Sequence, residues 1–132
     1  MPINVLDAHY RSFQKQVLPV CLEKETGVIG MKALGGGGGE AVIPSKLGVS
    51  ASECRRYALS LPISSLVAGI STMEHLEQDL AVARDFKPMT DPEIKALQQR
   101  FKEVASDGRF ELFKSTQGFD GSHHRRQHGF ST

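Results

Sequence analysis

The sequence predicts an α/β fold with parallel strands, and two patterns support this prediction. Short apolar runs alternate with longer amphipathic segments, in the order strand, helix, strand, helix, strand, helix, helix, and a polar tail follows. The intervening segments are long enough to return over a sheet as helices, and such crossovers make neighbouring strands parallel. We therefore expect about three parallel βα units, then a C-terminal helix and an irregular tail.

Length and charge narrow the class of protein. The chain has 132 residues, a single-domain size, and its 16 basic and 15 acidic residues give a net charge of +1. This balance favours neither nucleic acid nor a membrane surface as a partner, and no apolar run is long enough to span a bilayer. Residues Met1–Asn4 do not resemble a signal peptide, so we expect a cytoplasmic protein. Cys21 and Cys54 fall on predicted apolar helix faces and are expected to be buried free thiols.

The predicted strands are the apolar runs Ile3–Leu6, Val28–Met31 and Leu66–Ala68. Between the first two runs, apolar residues recur at helical spacing from Phe13, and Pro19 predicts either a kink or the start of the regular helix. Three strands make a thin sheet. The pattern fits either a small open sheet or an arc of a (β/α)₈ barrel, which needs roughly 250 residues to close.

Helix starts are marked by capping residues. Ser50 with Glu53 and Ser71 with Glu74 match the capping-box pattern, and Thr90 precedes the last helix. The helix after Ser71 is expected to bury an apolar face formed by Met73, Leu76, Leu80 and Ala83. Periodicity ends near residue 106, so residues 1–106 are expected to form the βα units and residues 107–132 a partly disordered tail.

Two loops are candidate phosphate sites. The junction Gly69–Ser71 joins a predicted strand to a helix N-terminus, where backbone N–H groups and the helix dipole favour an anion; an ordinary βα turn is the alternative. The glycine run Gly35–Gly39 could wrap a phosphate or could be a flexible connector. It matches neither the G-x-G-x-x-G pattern, because Glu40 takes the last position, nor a P-loop.

Several stretches in the correct order resemble the C-terminal portion of bacterial aldo/keto reductases, from Met1 to about Gly121. They are VLDAHYRSFQKQVLPV, GVIGMKALGGG, ECRRYALSLP, GISTMEHLEQDL and DGRFELFKSTQGFDG. Met1–Asn4 is similar to the family's strand-six pattern Gln-x-Pro-x-Asn. The resemblance implies a partial (β/α)₈ TIM barrel that contains strands six to eight, and the cofactor NADP(H).

The resemblance also implies cofactor contacts at nine positions. These are Leu34, Gly35, Gly36, Gly69, Ile70, Ser71, His75, Gln78 and Asp79. The first three would line the pyrophosphate, the next three would hold the adenosine 2′-phosphate, and Gln78 and Asp79 would contact adenine. His75 stands where many family members have an arginine, which weakens the expected preference for NADP over NAD because neutral imidazole lacks the guanidinium charge.

The family reduces small carbonyl substrates with a tyrosine acid assisted by Lys, Asp and His, and none of those positions has a counterpart in this sequence. Tyr10 and Tyr57 fall in a loop and on a helix face, so we assign no catalytic residue and expect the chain to be an inactive reductase fragment on its own. The alternatives are a noncatalytic nucleotide-binding or interaction module completed by a partner chain, and a truncated product. Exposed sheet edges would favour association.

Other polar residues suggest no further site. Lys32 precedes the glycine run and could neutralise a phosphate or simply be solvated. The tail histidines His123, His124 and His128 lack acidic or cysteine ligands at metal spacing, so no metal site is predicted.

Overall fold

The computed structural model describes residues 1–36, 41–115, 126 and 129, and most of its regular structure is helical. The helices are α1 (Phe13–Gln16), α2 (Leu18–Glu23), α3 (Val42–Leu47), α4 (Ala51–Leu59), α5 (Met73–Arg84), α6 (Asp91–Phe101) and α7 (Leu112–Ser115). The strands are β1 (Ile29–Gly30) and β2 (Ser65–Leu66), and a 3₁₀ turn spans Asp7–His9. Within the described ranges, no helix combines the length and apolar character needed to cross a bilayer.

The sheet is much smaller than the sequence predicts. In the described residues it consists of β1 and β2, which pair in parallel with Ile29 opposite Ser65 and Gly30 opposite Leu66. The parallel direction of these two strands is confirmed. The predicted fold class is wrong, because a mostly helical chain with a two-stranded sheet is not three βα units of a TIM barrel.

The first apolar run does not form a strand because the Asn4 side chain makes hydrogen bonds with the backbone of this run. Asn4 Oδ1 accepts hydrogen bonds from the backbone N–H groups of Leu6, at 2.8 Å, and Asp7, at 3.1 Å. This local turn competes with a strand ladder, in which those N–H groups would bond to a neighbouring strand. An isolated parallel bridge between Pro2 and Met31 is what remains of the expected pairing.

Side-chain caps fix where the longer helices begin. Ser50 accepts from the backbone N–H of Glu53 at 3.1 Å, as predicted. Helix α6 begins after Thr90, also as predicted, and Thr90 and Glu93 form a complete capping box there. The start of α5 differs from the prediction by one residue. Its N-cap is Thr72, whose hydroxyl accepts from the His75 N–H at 3.2 Å, so Ser71 precedes the helix.

The main core packs the first residues of the chain against α3, α4 and α6. Its buried members are Val5, Leu6, Ile43, Val49, Cys54, Tyr57, Met89, Leu97, Phe101 and Ala105. The prediction for Cys54 is confirmed, since it is a buried free thiol, whereas Cys21 is only half-buried. A smaller cluster of Ile3, Ala33 and Ala58 lies beside the sheet.

Helix α5 does not bury the apolar face that its spacing predicts. It has no buried residue; Met73 is 65 % exposed and Leu80 is 39 % exposed. The nearby Val67 and Ile70 are also about half exposed. An apolar stripe shows only that a helix can be buried on one side, and the described residues provide no element that covers this one.

The C-terminal segment is partly ordered. Its Phe110 packs against the main core, and α7 supplies a short helix where an irregular tail was predicted. The residues Gly37–Gly39, Phe119, His123, His124 and His128, on which other predictions depend, lie outside the described residues.

Candidate functional site

A groove of about 420 Å³ lies between the turn after β1, the beginning of α4 and the beginning of α5. Six of the nine predicted cofactor residues line it: Leu34, Gly35, Gly69, Ser71, His75 and Gln78. They come from two stretches more than thirty residues apart, which the parallel pairing of β1 with β2 brings together. The sequence therefore identified positions that converge on one concave surface of ligand-binding size.

The other three predicted residues lie outside the lining of this groove. Gly36 and Ile70 are chain neighbours of lining residues, with Gly36 half-buried and Ile70 50 % exposed. Asp79 forms an ion pair with Arg55, a residue that does line the groove. Asp79 is thus positioned to hold another side chain, and its carboxylate is not open to solvent as an adenine contact would require.

The turn after β1 is tight and uses one of the backbone groups predicted for pyrophosphate. The Gly35 N–H donates to the Lys32 carbonyl at 2.9 Å, and both residues have positive φ, +57° at Lys32 and +75° at Gly35. The Leu34 carbonyl accepts from the Ile43 N–H at 3.1 Å. A phosphate at this turn therefore cannot use the Gly35 amide, and a cationic side chain beside the turn would help to hold it.

Lys32 is one such side chain. Its ammonium lies 5.1 Å from the centroid of the Phe113 ring, and a Cβ placed on Gly36 would be 3.6 Å from the nitrogen. This cation–π contact holds the charge beside the glycine-rich loop. The sequence left Lys32 undecided between phosphate binding and solvation, and the structure brings it into the wall of the groove.

The N-terminus of α5 is open but carries its own anion. Ser71 is exposed, and a Cβ on Gly69 would meet no atom within 4 Å, so a ligand has access. The pKa of the Glu74 carboxyl is lowered because the carboxylate accepts hydrogen bonds from its own backbone N–H and from the Thr72 hydroxyl. The positive end of this helix thus attracts a carboxylate in the absence of a ligand.

Arg55 also lines the groove, and it is a charged residue that was not among the site residues predicted from the sequence. It is 6 % exposed, and its Nε faces Asp79 Oδ1 in an ion pair. Among the described residues, the contact of its guanidinium is this ion pair, and no hydrogen bond joins the terminal nitrogens to another described residue. The sequence contains a signal for this role. Arg55 lies three residues before Ala58 and shares its buried helix face, where a charged side chain requires a partner.

A larger cleft of about 640 Å³ lies between α4 and the end of α5, and its charges make it a poorer anion site. The Arg56 guanidinium there already donates to the Lys87 and Pro88 carbonyls and to Glu93. Glu53 and Asp85 add two carboxylates to the lining, which offset its second cation, Lys87. The smaller groove therefore offers the better-placed cations.

Metal binding has no support in the described part of the chain. No group of three or more His, Cys, Asp or Glu side chains is arranged there to hold a metal ion. The tail histidines were not expected to form such a site, and they lie outside the described residues.

Comparisons with models of protein families, with curated proteins and with solved structures find no match to this chain. The resemblance to aldo/keto reductases consequently stays a prediction, and the function must be argued from the groove.

Proposed function

We propose that the chain binds the phosphate groups of NADPH in the groove between the turn after β1 and the start of α5. We further propose that this site belongs to an NADPH-dependent reductase of the aldo/keto reductase type, whose carbonyl chemistry this chain does not perform alone. The observation that carries the proposal is the convergence of six residues predicted from the sequence on one groove, together with the cations Lys32 and Arg55.

The charges of the groove suit a phosphate better than a neutral ligand. Lys32 and Arg55 bring two cations to its wall, and the α5 N-terminus adds the positive end of a twelve-residue helix. The carboxylates nearby are already engaged: Asp79 by Arg55, and Glu74 by the Thr72 hydroxyl and its own amide. A dianionic phosphate can compete with a single exposed carboxylate for the helix terminus.

His75 is the residue expected to influence the choice between NADPH and NADH. It lies on the first turn of α5, is exposed and lines the groove. Arginine at this position would add a fixed charge and a bidentate donor for a 2′-phosphate. With histidine, we expect only modest discrimination between the two dinucleotides at neutral pH.

The proposal that this chain alone does not reduce carbonyls is consistent with the surroundings of Tyr57. Its hydroxyl donates to Gln14 Oε1 at 2.8 Å and accepts from Gln98 Nε2 at 2.9 Å. Burial raises its pKa to about 12, and it does not line the groove. A general acid must reach the carbonyl oxygen, so Tyr57 cannot replace the family's tyrosine.

Titration of NADPH fluorescence tests the proposal. Wild-type protein should bind NADPH and leave it unoxidised in the presence of a carbonyl substrate. Lys32→Met should weaken binding about threefold to tenfold, the loss expected for one charge-assisted contact. Lys46→Met is the matched control, because Lys46 is an exposed lysine that does not line the groove. Equal binding by both variants, or no binding by wild type, would contradict the proposal.

A noncatalytic nucleotide-binding or interaction module, completed by a partner chain, is the second candidate. The exposed apolar residues Val67, Ile70 and Met73 beside the groove favour it, because such residues are usually covered in a finished assembly. The two candidates differ in one assay. Carbonyl reduction that appears when a second chain supplies the reductase tyrosine supports the first, whereas binding that never leads to turnover supports the second.

A further inference from the structure

Arg55 differs from the other arginines whose contacts the structure describes. Arg56 donates to two carbonyl oxygens and Glu93, Arg11 to the Lys114 carbonyl, and Arg100 to the Gly48 carbonyl. Arg109 is exposed and contacts Asp107 through two of its nitrogens. Arg55 is the most deeply buried of them, yet its contact is a single ion pair through Nε. A guanidinium has five N–H donors, so most of the donors of Arg55 are unused by the described residues.

The position of Arg55 places its side chain at the groove. Its side chain is 7 % exposed and belongs to the wall of the groove, which the turn after β1, Ser71 and His75 also line. Asp79 approaches Arg55 from α5 on the Nε side, and its side chain is 12 % exposed. Arg55 Nε and Asp79 Oδ1 are therefore in direct contact as a buried ion pair. The terminal nitrogens of Arg55 are the donors of the pair that make no hydrogen bond with the described residues.

We infer that Arg55 is the principal phosphate-binding cation of the groove and that Asp79 is its positioning residue. The ligand class is a phosphate monoester or diphosphate anion, held by the two terminal nitrogens of the guanidinium in a bidentate contact. This inference deepens the proposed function and rests on it, since it names the group that would hold the phosphates of the dinucleotide. Asp79 acts through Arg55, by fixing the plane of the guanidinium.

Burial makes Arg55 the stronger candidate than Lys32. A cation in a site of low dielectric interacts with an anion more strongly than one in water, and its charge is screened less by salt. Lys32 is half-exposed, flexible and already placed over the Phe113 ring. The planar fork of arginine also matches two oxygens of one phosphate, whereas an ammonium acts as a point charge.

The test uses inorganic pyrophosphate, which has no adenine or nicotinamide. Pyrophosphate should shift the Nε–H signal of Arg55 in nitrogen-15 NMR spectra, and this signal is a readout that a purely structural role would not move. Arg55→Leu should lower pyrophosphate affinity about tenfold or more, and Arg55→Lys should recover part of that loss. Arg84→Leu, at the exposed end of α5 away from the groove, is the matched control and should bind like wild type.

A second variant distinguishes loss of the phosphate contact from unfolding of the protein. Arg55→Leu leaves the Asp79 carboxylate buried without its partner, whereas Arg55→Leu combined with Asp79→Leu replaces the pair by apolar groups, a change that proteins often tolerate. The folded double variant should bind pyrophosphate as weakly as Arg55→Leu. Wild-type affinity in the double variant would overturn the inference.

The two proposals can fail separately. If NADPH binds and the double variant still binds it normally, the assignment of Arg55 is wrong while the proposed function stands. If pyrophosphate binding depends on Arg55 but NADPH does not bind, the proposed function is wrong and the inference about Arg55 stands. Comparing NADPH, NADH, 2′-AMP and pyrophosphate then shows which phosphate Arg55 holds: a loss confined to NADPH and 2′-AMP assigns the 2′-phosphate. If wild-type protein binds none of these anions, both proposals are overturned.

Discussion

Two buried ion clusters in this molecule differ in how completely their polar atoms are bonded. The first, which we call the Lys114 cluster, consists of Lys114, Asp7 and Glu111. Lys114 Nζ lies 2.6 Å from Asp7 Oδ1, 2.8 Å from Glu111 Oε2 and 3.0 Å from the Tyr10 carbonyl oxygen. All three donors of the ammonium are therefore used. The second cluster is the Arg55–Asp79 pair, in which most of the guanidinium donors make no hydrogen bond with the part of the chain that the structure describes.

The carboxylates of the Lys114 cluster also accept hydrogen bonds from several donors. Asp7 accepts from the backbone N–H groups of Phe13 and Gln14 and from the Ser12 hydroxyl, and Glu111 Oε1 accepts from Asn4 Nδ2. This cluster joins the start of the chain to the segment that contains α7. Its saturation leaves nothing for a ligand to bond, so its role is structural. The Arg55–Asp79 pair lines a groove and has unused donors, so it can bind a ligand, whereas the Lys114 cluster cannot.

The largest expected effect comes from removing the centre of the saturated cluster. Lys114→Met should lower the free energy of unfolding by about 3 to 5 kcal/mol, because it leaves two carboxylates buried at close range without their cation. Urea unfolding followed by circular dichroism measures the change. Lys95→Met, an exposed lysine of α6, should change the stability by less than about 0.5 kcal/mol.

The same experiment also checks the comparison of the two clusters. Where Lys114→Met remains folded, its pyrophosphate affinity should equal that of wild type, since the cluster has no free donors. A large loss of anion binding with intact folding would contradict the structural role. A stability change as small as that of Lys95→Met would contradict the energetic argument.

Asp79→Asn tests the unsaturated pair and should have the second-largest effect. We expect a loss of about 2 to 3 kcal/mol in unfolding free energy, because asparagine keeps an acceptor oxygen but loses the charge facing Arg55. Pyrophosphate should then raise the melting temperature of Asp79→Asn more than that of wild type, since the anion replaces the missing charge.

Glu111→Gln is the matched control for that rescue. It neutralises a buried carboxylate in the Lys114 cluster, which is saturated and which no ligand reaches. Pyrophosphate should stabilise it no more than it stabilises wild type. Equal rescue of both variants would show that the anion acts non-specifically and would remove the distinction between the clusters.

The same contrast explains how much the sequence could predict. Local signals worked where the chain bonds to itself over a few residues, as where Ser50 caps α4. The parallel direction of β1 and β2 was also predicted, because the segment between the two runs is long enough for a crossover. The first strand failed because the Asn4 side chain captures two backbone N–H groups, an alternative that an apolar pattern does not reveal.

The second limit on prediction from the sequence was contact between residues that are far apart in the chain. Arg55 and Asp79 are on different helices, and Lys114 and Asp7 are 107 positions apart, so no spacing rule links them. The predicted groove residues converge because they follow two strands that pair in parallel, which a sequence can show. The Arg55–Asp79 pair, in contrast, comes from two helices whose packing the sequence does not show.

Tyr57→Phe should have a smaller effect that depends on pH. At neutral pH the loss should be about 1 kcal/mol, since the hydroxyl bridges Gln14 and Gln98. Burial raises the Tyr57 pKa to about 12 from its usual 10.0, so the neutral form is favoured in the folded protein. Its contribution is complete below pH 10 and is lost as pH rises from 10 to 12. The stability gap between wild type and Tyr57→Phe should therefore shrink across that range in urea unfolding, whereas a constant gap would contradict the raised pKa.

The smallest effect is expected at the entrance of the groove, where Glu74 competes with a ligand for the start of α5. Its carboxylate is exposed and its pKa is lowered by hydrogen bonds from its own amide and the Thr72 hydroxyl. Glu74→Gln should raise pyrophosphate affinity about twofold to fivefold at low salt, because one negative charge at the helix N-terminus is removed. Glu77→Gln, an exposed change on the same helix outside the groove lining, should have less effect. The gain should decrease as salt is added, because exposed charges are screened, while the contribution of buried Arg55 persists. Weaker binding by Glu74→Gln would mean that the anion does not approach the N-terminus of α5, and would confine the phosphate to the Arg55 side of the groove.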